Sequence, residues 1–274
     1  MTRIHVHTFV SQNSIPYAEY LQTNYNKLAT NPNLLDFTAH YLDEFSKCTT
    51  SQVQQLQNFE VVQSIQGSGS IGHALGIISA LHHRKDLGIH IWADADTVML
   101  RAGWDVDLCQ TLQTAHGGEY DIIGATYEKL GGISSGGTTR QTYKGRPNLT
   151  WLAFNAENAN MKNFDPLPCK EKFLHIITPE LSARYNLPCG YELLCDVGWK
   201  LPEFMDNSGL RDLGLKHLVP TVDPTLVFKS HHYHEEFHDL HGPLVGHQRG
   251  SMKHRFRIDP LSKQFYNELE EYLK

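Results

Sequence analysis

The stretch Leu87-Gly-Ile-His-Ile-Trp-Ala-Asp94-Ala-Asp96-Thr-Val-Met-Leu100 decides the fold. Ile89 to Ala93 is an apolar run of strand length, as a strand buried on both faces requires. It stops at two carboxylates, because charge at the end of a buried strand must reach solvent or a cation. Asp-x-Asp spacing puts both acids at the mouth of the strand, where they can share one divalent cation, directly or through water. Hard cations such as Mg²⁺ or Mn²⁺ take oxygen ligands and keep positions open for phosphate oxygens. The same pair would also suit a solvated acidic loop, so the elements around it must decide.

Upstream, Ile4 to Val10 alternates and reads as a first strand, and Pro16 opens a helix through about Leu28. Leu35 to Leu42 reads as a second strand ending at Asp43 and Glu44, and Phe59 to Val62 as a short extended piece. Gly67-Ser-Gly69-Ser-Ile-Gly72-His73-Ala74 leads into a helix with Ile71, Leu75, Ile78 and Leu81 at near-helical spacing. Downstream come a helix over Val106 to Thr114, a strand over Tyr120 to Tyr127 and a long stretch of low signal from 131 to 148. Trp151 to Phe154 reads as a strand ending at Asn155, Thr178 as a helix start, and Thr225 to Phe228 as the last strand. Leu261, Phe265, Leu269 and Tyr272 mark one face of a final amphipathic helix. The pattern predicts an α/β fold, a mixed, mostly parallel sheet flanked by helices, in a single domain over residues 1–274.

Composition narrows the function. Of 274 residues, 40% are hydrophobic and 20% charged, which suits a packed core rather than disorder. A formal charge of −6 argues against a nucleic-acid binder, whose footprint is basic. No apolar run reaches the ~20 residues of a membrane span. The N-terminus enters a strand at once without a signal-peptide pattern, and the five cysteines lack metal spacing. A cytoplasmic protein with reduced thiols is the expectation.

Asp94-Ala95-Asp96-Thr97, at a strand end about a third of the way along the chain and just after a glycine-led helix, resembles the Asp-x-Asp motif of GT-A glycosyltransferases, family-2-like. The resemblance implies a Rossmann-related fold, with a nucleotide-sugar-binding half over 1–128 and an acceptor-binding half with the C-terminal segment over 129–274. It implies Mn²⁺ or Mg²⁺, a UDP- or GDP-sugar donor with UDP favoured, and a glycan or other hydroxyl acceptor. Carried onto this chain, Ser11, Gln12 and Asp43 would meet the nucleotide. Gly72 and His73 would let the chain approach it closely, and Asp94, Ala95 and Asp96 would hold the diphosphate and metal. His247 would complete the metal shell, with His241 second, and Arg249 and Lys253 could neutralise phosphate. An inverting enzyme would use Asp196 as general base, with Glu192 in reserve, because on a helix the two share a face. Trp151, Asn155 and Trp199 fall to the acceptor side, although a tryptophan is also a core residue.

Three other classes compete. Gly67-x-Gly69-x-x-Gly72, with Asp94 about 20 residues on, fits an NAD(P)-dependent oxidoreductase, which would bind its cofactor without metal. The segment before those glycines is too polar for the central strand of such a fold. A nucleotidyltransferase would show a basic, glycine-rich loop after the first strand, and residues 8–16 lack one. A non-catalytic sugar-binding module would bind free sugar without turnover. The six histidines between 231 and 247 fit no compact zinc site, and most read as surface imidazoles.

Overall fold

The computed structural model describes residues 2–11, 14–41, 53–54, 56–63, 69–83, 87–112, 118–126, 145–167, 174–176, 192–194, 197–198, 200–218, 226–227, 234–248 and 260–274. Gln12, Asp43, Gly67, the stretch 127–144, the helix expected from Thr178, Asp196, Trp199, Arg249 and Lys253 lie outside them.

Thirteen strands and five α-helices are described. In chain order these are β1 (Ile4–Val10), α1 (Ile15–Leu28), β2 (Leu35–Tyr41), β3 (Glu60–Gln63), α2 (Gly69–His83), β4 (Ile89–Asp94), β5 (Thr97–Met99), α3 (Trp104–Leu112), β6 (Ile122–Thr126), β7 (Pro147–Asn155), β8 (Leu174–Ile176), β9 (Glu192–Leu194), α4 (Leu201–Ser208), β10 (Asp212–Gly214), β11 (Lys216–Leu218), β12 (His234–Asp239), β13 (Gly242–Gln248) and α5 (Pro260–Tyr272). Seven strands form one sheet in the order β10-β6-β7-β4-β1-β2-β3. Strands β3, β2, β1 and β4 run parallel, and β7 runs antiparallel to both β4 and β6. This is the mixed, mostly parallel α/β sheet that the sequence predicts.

Period-two alternation sorts the side chains of the sheet. Ile4, Val6, Ile89, Ile91 and Ala93 face α1 and α3 in a core with Leu21, Tyr25, Trp104 and Leu108. Trp92, Leu152 and Phe154 face α2 and α4, packing with Ile77, Ala80, Leu201 and Met205. Helix α2 departs from expectation. Its buried stripe is Ala74, Ile77 and Ala80, whereas Ile71 is largely exposed. The small residues bring the helix close to the sheet: a Cβ on Gly76 would lie 2.7 Å from Phe9 Cδ1. The strand before the glycine run, β3, is the edge of the sheet and half exposed. A dinucleotide fold places that strand at its centre.

A second sheet, β11-β12-β13-β5, is antiparallel and shares the first core through Phe237, Leu244 and Val245. Residues 234–248 of the histidine-rich segment, which do not read as strands in the sequence, form a hairpin, and the last strands are β12 and β13. Leu226 and Val227, placed by sequence in a final strand, lie in a bend. Glu192 sits in β9, paired antiparallel with β8, so it does not share a helical face with Asp196. Helix α5 buries Phe265 and Leu269, as its periodicity predicts, but leaves Tyr272 at 46% exposure.

Asp105 ties the start of α3 to the chain after α1. Its buried carboxylate accepts hydrogen bonds from Thr30 N at 2.7 Å, Asn31 N at 2.9 Å and Asn31 Nδ2 at 3.3 Å. Asp105→Asn leaves an amide N–H facing one of these donors. Urea unfolding should show a loss of about 1.5 kcal/mol.

Candidate active site

The site lies at the C-terminal edge of the parallel strands. Phe9 of β1 is in register with Asp94 of β4, so Ser11 leaves β1 on the same edge as the acidic pair. The turn Ala95-Asp96 leads into β5, and β13 pairs with β5 so that His247 stands opposite Thr97. Gln248 N extends the pairing by donating to Asp96 O at 3.1 Å. That pairing places a histidine remote in sequence beside Asp96.

Asp94, Asp96 and His247 each offer a ligand atom, and these atoms lie within 4.8 Å of one another. Among the described residues this is the only such group of three. His247 Nε2 is 3.5 Å from Asp96 Oδ1, and His247 Nδ1 is 3.0 Å from Glu235 Oε2. His217 Nε2 approaches the other Glu235 oxygen at 3.4 Å. On the far side, His73 Nε2 in the first turns of α2 is 3.4 Å from Asp94 Oδ1. His73 is held there by a ring contact with Phe9 at 4.9 Å. Gly72, one residue earlier, is buried.

The electrostatics follow from enclosure. Burial pushes the Asp94 carboxyl up to about 6; His73 and His247 oppose that shift, and Asp96 adds to it. Burial alone would lower His247, but the Asp96 and Glu235 carboxylates outweigh it and hold the imidazole well above its usual range. Burial would raise Glu235; His217 and His247 overcome it and hold the carboxyl well below the usual range. Two carboxylates forced together in a half-enclosed site suit a divalent cation, which would remove their mutual repulsion. The Asp94 side chain is still 29% exposed, so the mouth is open to a further ligand.

Two acceptor-side expectations are corrected. Trp151 is fully buried and donates from Nε1 to Tyr25 Oη at 3.1 Å. Tyr25 Oη meets Thr97 Oγ1 at 3.2 Å, and Thr97 Oγ1 donates to Asp94 O at 2.8 Å. Trp151 therefore braces the acidic turn from the core and offers no face to a sugar. Trp104 is equally buried, with Nε1 on Tyr25 O at 3.1 Å. Asn155 is in register with Ile89, at the end of β4 opposite Asp94, and donates to Leu112 O at 2.9 Å. His241 lies in the exposed β12–β13 turn, away from the metal group. Sequence reasoning missed Glu235 and His217, which become neighbours of the site only through strand pairing.

No family model matches the sequence, and no curated protein matches it. Solved structures similar to it include mannosyltransferase PcManGT from Pyrobaculum calidifontis in complex with GDP-Man and Mn²⁺, at 14% identity and a TM-score of 0.44, over 78% of this chain and 54% of that one. TarS of S. aureus is similar at 15% identity and a TM-score of 0.39, over 62% of this chain and 51% of that one. Galactosyltransferase LgtC, in complex with donor and acceptor sugar analogues, is similar at 11% identity and a TM-score of 0.38, over 77% of this chain and 73% of that one. The chain spans about half the length of the first two, 54% and 51%. Among the described residues no helix is long and apolar enough to cross a membrane.

Proposed function

We propose that the protein is a metal-dependent glycosyltransferase that moves a sugar from a nucleoside diphosphate sugar to a hydroxyl acceptor. The observation that carries this reading is the convergence of Asp94, Asp96 and His247 at the C-terminal edge of the parallel strands. Ligands bind at that edge in open α/β sheets. Two carboxylates and one imidazole suit Mn²⁺ better than Mg²⁺, which prefers oxygen ligands alone. A bound cation would supply Lewis-acid stabilisation of the charge that builds on the departing diphosphate.

The chain's own residues do the rest. Asp94 and Asp96 hold the cation, and His247 completes the shell from β13. Ser11, Gly72 and His73 line the same edge for the nucleotide, with Gln12 and Asp43 assigned to it by the resemblance. UDP is the favoured donor nucleotide and GDP the next. In an inverting reaction Asp196 takes the proton from the acceptor hydroxyl; Glu192, on a strand, is the weaker candidate.

Calorimetric titration of UDP, GDP and NAD⁺, each with and without Mn²⁺, tests the reading. A nucleoside diphosphate that binds only with the metal is the expected result. Binding of NAD⁺ without metal would transfer the function to the glycine run and sink the proposal.

A further inference from the structure

Glu235 stands directly behind His247, on the side away from the acidic pair. The two are cross-strand partners in the β12–β13 hairpin. A neutral imidazole has one N–H and one lone pair, so it can serve a metal through one nitrogen only if the other keeps its hydrogen. A carboxylate only accepts. With His247 Nδ1 at 3.0 Å from Glu235 Oε2, a hydrogen belongs on Nδ1, which leaves Nε2, on the side of Asp96, as the nitrogen whose lone pair a metal would take. Glu235 is itself held from behind. His217 Nε2 approaches Oε1 at 3.4 Å, and the His217 ring stacks on Phe237 with centroids 5.1 Å apart. The three side chains are each 10% exposed or less, so water does not compete strongly for these contacts.

We infer that Glu235 is a positioning residue: its carboxylate fixes the tautomer and ring orientation of His247, so that Nε2 faces a divalent cation on Asp94 and Asp96, with His217 holding Glu235 in place. The inference rests on the metal site proposed above. Carboxylates that accept from the distal nitrogen of a ligating histidine raise its basicity and set its angle, and their loss lowers metal affinity by roughly tenfold to a hundredfold. A carboxylate that served only the hairpin would affect melting and leave metal affinity alone.

The test is Mn²⁺ binding, followed by the electron paramagnetic resonance signal of the free ion, with no nucleotide or acceptor present. Wild type, E235Q, E235A and D96N are compared, and thermal melting of each is followed by circular dichroism. Glutamine can still accept from Nδ1 through its amide oxygen, so E235Q should weaken Mn²⁺ about tenfold and E235A still further, each with a cooperative transition. If E235A does not fold, the isosteric E235Q carries the test alone. Wild-type affinity in a folded E235Q or E235A overturns the positioning role while leaving the metal site intact. Absence of Mn²⁺ binding by wild type, or unchanged binding by D96N, overturns the metal reading and the inference with it.

Discussion

Asp96→Ala should yield a folded protein whose metal-dependent turnover of a nucleotide-sugar donor has fallen about a thousandfold or more, equivalent to roughly 4 kcal/mol of transition-state stabilisation. The separation of activity from stability follows from what each part of Asp96 does. Its carbonyl accepts from Gln248 N at 3.1 Å and joins the two sheets at the site, and alanine keeps that bond. Its carboxylate repels that of Asp94 but attracts His247 at 3.5 Å, and the two effects oppose each other in the stability of the fold. Removing it relieves that repulsion and leaves His247 on Glu235. Steady-state donor hydrolysis with Mn²⁺, measured beside thermal melting, checks both halves. Wild-type turnover in a folded Asp96→Ala protein would show that the acidic turn is not the reacting centre.

Local patterning made β1, α1, β2 and β4 legible, because one buried face of each is apolar at the period of the element. The Asp94–Asp96 turn was legible for the same reason: a buried strand that ends in two acids is a local anomaly. What sequence reasoning missed depends on pairing between distant segments. The β12–β13 hairpin is rich in His and Glu, and most of its histidines read as surface imidazoles. Its buried positions are filled partly by ion pairs such as Glu235 with His217 and His247, which leave no apolar alternation to read. Trp151 shows a second kind of ambiguity. An indole serves equally well as a sugar platform or a core brace, and only its bond to Tyr25, far away in sequence, decides between them. On α2 the longest apolar residues suggested a face that is only partly buried: Leu81 packs against the core, but the fully buried stripe is Ala74, Ile77 and Ala80, whose small alanines carry little periodic signal. Glu192 and Asp196 illustrate the limit of spacing arguments: four residues apart means a shared face only on a helix, and pairing with β8 makes Glu192 part of a strand.

Acid should expose a cost built into the sheet beneath α2. Four buried histidines stand side by side on three adjacent strands, His5 and His7 on β1, His40 on β2 and His90 on β4. His7 Nδ1 meets His40 Nε2 at 3.0 Å and His7 Nε2 meets His90 Nδ1 at 3.1 Å, while His40 Nδ1 meets Ser79 Oγ of α2 at 3.0 Å. Burial, with His83 nearby, holds His40 down at about 3, and burial together with the neighbouring rings holds His7 well below its usual range. The fold therefore keeps these rings neutral where the unfolded chain would protonate them. Above the ordinary histidine value of 6.5 both states are neutral at His40 and nothing changes. Below it the unfolded chain gains a proton that the folded chain refuses, so stability falls with pH until the folded group also titrates. By pH 5 the loss at His40 amounts to about 2 kcal/mol, and His7 adds in the same direction. Asp94 and His247 act oppositely, since their raised folded values favour the fold as pH falls. A variant at His40 isolates the ladder because those opposing groups are common to both proteins. His40→Gln keeps a polar partner for His7 and Ser79 but cannot titrate. Its stability deficit relative to wild type in urea unfolding should shrink by about 2 kcal/mol between pH 7.5 and pH 5. A deficit that stays constant over that interval would mean that His40 titrates in the fold as it does in the unfolded chain, and a deficit that grows would mean that the folded ring already carries its proton, so that the ladder is not a chain of neutral rings.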